Sequence, residues 1–239
     1  WRGRGFEYWA VNKPRGVLAS TRDPHHKNMV THLVPTSGRV FPVGRLDKES
    51  EGLILLISDG ELCHRLTHPR FGVIKRYQVT LDSPPSSKTI AAIKKGVMLD
   101  DGPALPAGVK VVSPRILELS LREGRKREIR RMFERFRHRV IKLVRVAFGP
   151  VKLGGLASGK ARELTSEEVA SLRRAVKHSR RRGEKMSGRA ARKEHYHSVE
   201  KRDTDKLSRR PFPDRPGQSW GRRSSKSSAR RSTRKGSRS

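Results

Sequence analysis

An aspartate, Asp47, lies in the stretch Gly44-Arg45-Leu46-Asp47-Lys48-Glu49-Ser50-Glu51-Gly52, directly ahead of the apolar run from Leu53 to Ile57. A loop carboxylate next to a guanidinium, here Arg45, is held in its ionised form. That is the state from which a carboxylate nucleophile or base works. Taken alone, the stretch reads more simply as a turn capped by an aspartate. Gly44 and Gly52 predict close backbone approach or positive φ on either side of it.

Two further stretches carry chemistry. Lys75-Arg76-Tyr77 places a tyrosine beside charged residues on a predicted strand. Its ring can stack on a base with the hydroxyl free for polar work, or it can simply fill a core. Glu123-Gly124-Arg125-Lys126-Arg127-Glu128-Ile129-Arg130-Arg131-Met132-Phe133 holds five basic residues within seven positions at the mouth of a predicted helix. Ile129, Met132, Phe133 and Phe136 share one face of that helix, which leaves the arginines to border it. Cations beside an apolar anchor suit phosphate binding, and one arginine can reach an internal carboxylate; a solvated basic face is the simpler alternative. Cys63, His64 and His68 lack the spacing of a metal site, so none is predicted. There is no phosphate-loop, dinucleotide or nucleophile-elbow motif.

The elements that must position these residues follow from periodicity. Strands are predicted at 6–11, 53–57, 74–81, 109–112, 116–121 and 140–148, with Val40 to Val43 a short apolar stretch. Helices are predicted at 27–34, at 60–67 behind a capping Asp59, from Ser86 or Ser87 with Ile90, Ile93 and Val97 on one side, and at 126–136. A last helix opens at Thr165-Ser166-Glu167-Glu168 with a capping-box pattern. The mixture lacks a regular βαβ rhythm, so the class is α+β. The chain has 239 residues and a net charge of +33, which excludes an acidic solvating protein and favours a polyanionic partner. Residues 178–239 hold 21 Lys+Arg against 6 Asp+Glu and only nine hydrophobic residues. They are expected to form a disordered basic tail behind a folded part, 1–177. One cysteine excludes an internal disulfide framework, and no apolar run is long enough to span a bilayer. The chain begins at Trp1, which reads as a fragment.

Taken in order, the motifs resemble those of the RNA pseudouridine synthases of the RsuA/RluB/RluE/RluF branch. Asn12-Lys13-Pro14-Arg15-Gly16-Val17 is similar to the opening motif of that family. Gly44-Arg45-Leu46-Asp47 with Ser50 and Gly52 matches the catalytic motif, Lys75-Arg76-Tyr77 the Lys-x-Tyr motif, and Arg125 to Met132 the third motif. Leu143, Arg145, Gly149, Leu153, Leu156, Gly159 and Arg162-Glu163-Leu164 fit the closing pattern. The resemblance covers residues 6 to about 174. It implies the synthase catalytic fold, a mostly antiparallel mixed sheet flanked by helices around a central cleft. It also implies isomerisation of uridine to pseudouridine in ribosomal RNA without cofactor or metal. Asp47 would act at C1′ of the target uridine, either by covalent addition or by removing a sugar proton to give a glycal. The base would be detached, rotated and rejoined through C5. Tyr77 would stack on the uracil and help proton removal at C5, Arg130 would pair with Asp47, and Ile129 would pack beside it. Arg45, Lys75, Arg125, Arg127 and Arg131 would contact RNA, with the target base flipped out of its helix. The strings Phe41 to Asp47 and His68-Pro69-Arg70-Phe71 lean towards the large-subunit RluB type, with the small-subunit RsuA type the near alternative. A non-catalytic ribosome-assembly factor on the same fold is the alternative from another class. The expected partner is ribosomal RNA and no membrane, for a monomer in the cytoplasm.

Two departures stand out. Glu128 replaces the glutamine common in the third motif; a second carboxylate there would oppose ionisation of Asp47 unless Arg127 or Arg131 neutralises it. Members of the branch also carry a small S4 RNA-binding domain ahead of the catalytic domain. No room for one precedes Trp1, so either the chain is truncated or docking rests on the core and tail.

Overall fold

The computed structural model describes residues 5–20, 28–36 and 38–183. The expected basic tail therefore lies almost wholly outside the described residues. The elements are β1 (Tyr8–Lys13), β2 (Phe41–Pro42), β3 (Glu51–Ile57), α1 (Gly60–Thr67), β4 (Lys75–Leu81), α2 (Ser87–Lys95), β5 (Val97–Leu99), β6 (Gly102–Ala104), β7 (Gly108–Ser113) and β8 (Ile116–Leu121). They continue with α3 (Glu128–Glu134), β9 (Val140–Phe148), β10 (Val151–Lys152), β11 (Ala161–Glu163) and α4 (Ser166–Gly183).

Nine strands form one sheet in the order β11-β1-β3-β9-β4-β8-β7, with β10 added to β9 and β2 to β3; β5 and β6 make a separate hairpin. Every pairing is antiparallel except β3 with β9, which run parallel with Glu51 opposite Val144 and Gly52 opposite Arg145. The expected α+β class and mostly antiparallel sheet are what the structure shows.

β3 explains why its apolar run is continuous. Ile54 and Leu56 enter one core, whereas Leu53, Leu55 and Ile57 enter another on the opposite face. Each fully buried Leu or Ile of this strand contributes about 1.5–3 kcal/mol. β4 and β8 alternate instead: Tyr77, Val79 and Leu81 face Leu117, Leu119 and Leu121 in the first core. That core is closed by Ile129, Met132 and Phe133 of α3 and by the β5–β6 hairpin. The second is closed by Leu62 and Leu66 of α1 and Leu172 and Val176 of α4.

The expected caps form. Asp59 accepts from Leu62 N at 3.0 Å, and Ser86 accepts from Thr89 N at 3.1 Å. Thr165 and Glu168 exchange side chain-to-backbone bonds of 3.0 and 3.2 Å, a capping box at the start of α4. Three details differ from expectation. Val97 belongs to β5, because Gly96 ends α2 with φ 102. The helix expected over 27–34 is reduced, within the described residues, to a 3-10 turn at Val30–Leu33. α3 is shorter than 126–136, because Arg127 takes a left-handed φ of 51 ahead of it. α4 extends past residue 177 to Gly183, where the described residues end.

Candidate active site

Asp47 sits half-buried in the loop between β2 and β3. Its own carbonyl accepts Ser50 N at 2.9 Å, which folds the loop into a tight turn, and Lys48 O accepts Gly16 N at 2.8 Å. Lys13, fully buried at the end of β1, sends its ammonium to Pro14 O (3.0 Å), Val17 O (2.8 Å) and Lys48 O (3.4 Å). Burial lowers its pKa to about 8, against which the Glu51 and Asp47 charges work. The opening motif thus supports the Asp47 loop from below through one side chain.

Gly44 and Gly52 bracket the loop at φ 74 and φ 100. The space around them differs. A Cβ on Gly44 would meet nothing within 4 Å, whereas one on Gly52 would lie 2.5 Å from Arg145 O and 2.7 Å from Arg145 N. The expectation of positive φ holds at both, and close backbone approach at Gly52 alone.

A cleft of about 190 Å³ opens beside this loop. The structure brings Arg45, Asp47, Tyr77, Arg125, Arg127 and Ile129 together on its lining. Tyr77 reaches it from β4, between Leu119 of β8 and Arg145 of β9, and its ring belongs to the first core. Ile129 reaches it from the first turn of α3 and is 4% exposed. The strand and helix predicted at these residues are what aim them at one point.

Lys75, Arg130 and Arg131 do not line the cleft. Lys75 lies opposite Leu121 of β8 and Phe148 of β9. Its ammonium donates to Arg122 O at 2.9 Å and lies 5.7 Å from the Phe148 ring centre. Burial chiefly, with the Arg145 charge adding, brings its pKa down to about 8. Arg130 is 7% exposed and donates from Nη1 to Val140 O at 2.7 Å. The expected contact pair with Asp47 is not formed, because the guanidinium is turned to that carbonyl. Burial lowers the Arg130 pKa, and the Glu49 and Asp47 charges oppose the shift. The aspartate is therefore within electrostatic reach, not in contact.

Arg131 and Arg125 converge on Asp101, in the turn of the β5–β6 hairpin. Arg131 holds both carboxylate oxygens at 2.9 and 2.8 Å. Arg125 donates to Asp101 Oδ1 (3.0 Å) and to the carbonyls of Asp101, Gly102 and Pro103 (3.1, 3.1 and 2.9 Å). These arginines hold the Asp101 carboxyl below the usual range. The Glu128 departure resolves in the same place. Its buried carboxylate accepts Arg125 N at 3.1 Å and Arg125 Nη2 at 3.3 Å. Arg125, not the expected Arg127 or Arg131, answers its charge. Arg127 stands exposed at the mouth and pairs with Glu49 at 3.4 Å.

Lys13, Ser50 and Arg145 stand in the motifs quoted above without a role that the sequence assigns, and Asp101 carries no sequence signal at all. Ser50 Oγ is buried without a hydrogen-bond partner on the cleft lining. Arg145 is 2% exposed and sits behind Tyr77 and the loop. Among the described residues no group of three or more His, Cys, Asp and Glu is placed to hold a metal ion. His68 Nδ1 accepts Arg70 N at 3.1 Å and caps a turn. Among the described residues no helix is long and apolar enough to cross a membrane.

The model of the RNA pseudouridylate synthase family matches residues 7–135. The ribosomal large subunit pseudouridine synthase B of Bacillus subtilis (strain 168) is 37% identical over 180 residues, covering 72% of this chain and 74% of that protein. The ribosomal small subunit pseudouridine synthase A of Salmonella typhimurium is 40% identical over 172 residues, covering 70% and 74%. A crystal structure of a pseudouridylate synthase superposes with a TM-score of 0.66 at 31% identity, covering 72% of this chain and 75% of that one. With the loop aspartate, the strand tyrosine and the helix isoleucine meeting at one cleft, these matches show that the chain belongs to the RsuA/RluB family of RNA pseudouridine synthases.

Proposed function

We propose that Asp47 is the residue with which this enzyme isomerises uridine to pseudouridine in ribosomal RNA. The observation that carries the assignment is the meeting of Asp47, Tyr77 and Ile129 on one cleft from three elements far apart in sequence. The N1–C1′ bond of the target uridine breaks, the base turns, and a C5–C1′ bond forms. The C5 proton leaves to solvent, and N1 gains a proton. No electrons are exchanged with a third party, so the step balances without cofactor or metal, and none is proposed.

Each group has a role in this reading. The Asp47 carboxylate acts at the sugar. The Tyr77 ring stacks on the uracil, with its hydroxyl near the proton leaving C5. Ile129 gives the base an apolar edge. Arg130, buried behind the wall, supplies a positive field towards Asp47. A base can enter such a cleft only by leaving its stack, which RNA contacts outside the cleft must offset. Arg45 and Arg127 are exposed at the mouth and suit that task. Lys75, Arg125 and Arg131 have donors committed inside the protein, so in this reading they shape the wall and add charge more than they grip phosphate. The relatives include both large- and small-subunit enzymes. The Phe41–Asp47 and His68–Phe71 strings favour a large-subunit target; the 40% identity to the small-subunit enzyme keeps that target as the second reading. We read the protein as a monomer acting in the cytoplasm, with a tail that attracts RNA without reading its sequence.

The test is Asp47→Ala. Tritium release from RNA labelled at uridine C5 is expected to stop, while RNA affinity stays near that of the parent. Undiminished release would refute the assignment.

A further inference from the structure

We propose that Arg145 is a positioning residue for Asp47: from the middle of β9 it holds the backbone at both ends of the catalytic loop. The proposal rests on the reading of Asp47 given above. Arg145 Nε donates to Leu53 O at 2.6 Å, and Nη1 donates to Arg45 O at 3.4 Å. Arg45 lies two residues before Asp47, and Leu53 follows the loop as the start of the apolar run. One planar guanidinium therefore spans the entrance and the exit of the segment that carries the aspartate. Lysine, with a single nitrogen, cannot reproduce that fork.

The cost of keeping a cation here argues that it is kept for direction. Arg145 is 2% exposed, and among the described residues no carboxylate lies within ion-pair distance of it. Among the described residues its other contact is the face of Phe148, 5.4 Å from ring centre to guanidinium carbon. A buried cation without a counter-ion is unfavourable, and an apolar chain of similar volume would fill the same space at less cost. Its charge also opposes protonation of the two neighbouring lysines, Lys13 and Lys75. Arg145 keeps a further donor, Nη2, buried and unpaired, and Ser50 Oγ, three residues after Asp47, is buried and unpaired as well. A side chain serving only to fill the core would carry no such surplus of donors.

The strand pairing makes the hold stiff. Gly52 lies opposite Arg145 in the parallel register, and its missing Cβ lets the backbones of β3 and β9 close up. The loop thus leaves a point where the main chain is pinned, and the guanidinium fixes its far end. Asp47 itself makes no contact with Arg145, so the effect passes through the backbone.

The experiment compares Arg145→Lys and Arg145→Met with the parent by steady-state pseudouridine formation, RNA affinity and amide hydrogen exchange. A displacement near 1 Å at a reacting group costs about 100-fold in rate, so kcat is expected to fall by about that factor while KM and RNA affinity stay within about threefold. Amides of 44–52 are expected to exchange about tenfold faster in both variants, with those of β4 and β8 unchanged. A folded Arg145→Lys with parental kcat, a rise in KM in place of a fall in kcat, or faster exchange spread evenly over the sheet would overturn the proposal. So would failure of both variants to fold, which would make Arg145 a core residue. A parent that forms no pseudouridine would refute the reading of Asp47; the exchange measurement would still decide whether Arg145 holds the loop.

Discussion

Replacing Gly52 by alanine tests how the loop is seated, and replacing Gly44 provides its control. Both residues have positive φ, 100 at Gly52 and 74 at Gly44. An L-residue in such a conformation costs about 1–2 kcal/mol. At Gly44 nothing lies within 4 Å of the added carbon, so strain is the whole cost. At Gly52 the carbon would stand 2.5 Å from Arg145 O and 2.7 Å from Arg145 N. These are backbone atoms of a paired central strand and cannot swing aside. Overpacking of this kind adds about 1–3 kcal/mol. Gly52→Ala is therefore expected to lose about 2–5 kcal/mol and Gly44→Ala about 1–2 kcal/mol. Urea unfolding followed by tryptophan fluorescence measures both, with the slope against denaturant checked for constancy. Pseudouridine formation under conditions where both variants remain folded is expected to fall further for Gly52→Ala, because β3 must shift under Asp47. Equal losses for the two variants would refute the argument from strand approach.

The other expectations are briefer. Asp101→Asn weakens the carboxylate held by Arg125 and Arg131, so RNA is expected to bind more tightly at low salt with a steeper salt dependence, measured by filter binding. Lys13 has a folded pKa of about 8 against 10.5 unfolded. Between those values the unfolded chain binds the extra proton, so stability rises with pH through that window, by a total on the order of 3 kcal/mol, and the effect is absent below it. Urea unfolding at pH 7.5 and at pH 9.5 should show the parent gaining on Lys13→Met at the higher pH. Removal of the basic tail, cut after Gly183 so that α4 stays whole, is expected to weaken RNA binding mainly at low salt. An unchanged salt slope would reject phosphate contacts by the tail.

What could be read from the chain was what lies within one segment. Asp47 with its glycines, Tyr77 in an alternating strand, and Ile129 beside Met132 and Phe133 are each local strings. Periodicity tells which way such residues point once their element forms. The partners of the arginines were not legible, because they depend on which segments fold against one another. Arg125 meets Asp101 only because the hairpin after α2 folds over α3, and neither β5 nor β6 is long enough to show a period. Arg130 and Arg131 are adjacent in sequence, yet one turns inward to Val140 and the other outward to Asp101. The residues alone say only that one arginine of this stretch can reach a carboxylate; the pairing of Arg130 with Asp47 is what the family resemblance implies, and neither shows the Val140 carbonyl. The partner of Glu128 is hidden for the same reason: Arg127 and Arg131 are its neighbours along the chain, but it is the turn ahead of α3 that brings Arg125 back to it.

The parallel pairing of β3 with β9 has a consequence for the order in which the enzyme matures. The carbonyls at the two ends of the Asp47 loop wait for an arginine 92 and 100 residues further along the chain. While the protein is being made, β1, β2 and β3 can already pair as antiparallel neighbours and the opening motif can already support the loop at Lys48 O, but the two bonds from Arg145 wait until β9 leaves the ribosome. Long closures of this kind form late. If Arg145 positions the loop as proposed, a partly made chain holds the aspartate without these two bonds, and they form only when the second half of the sheet has been inserted beside the first.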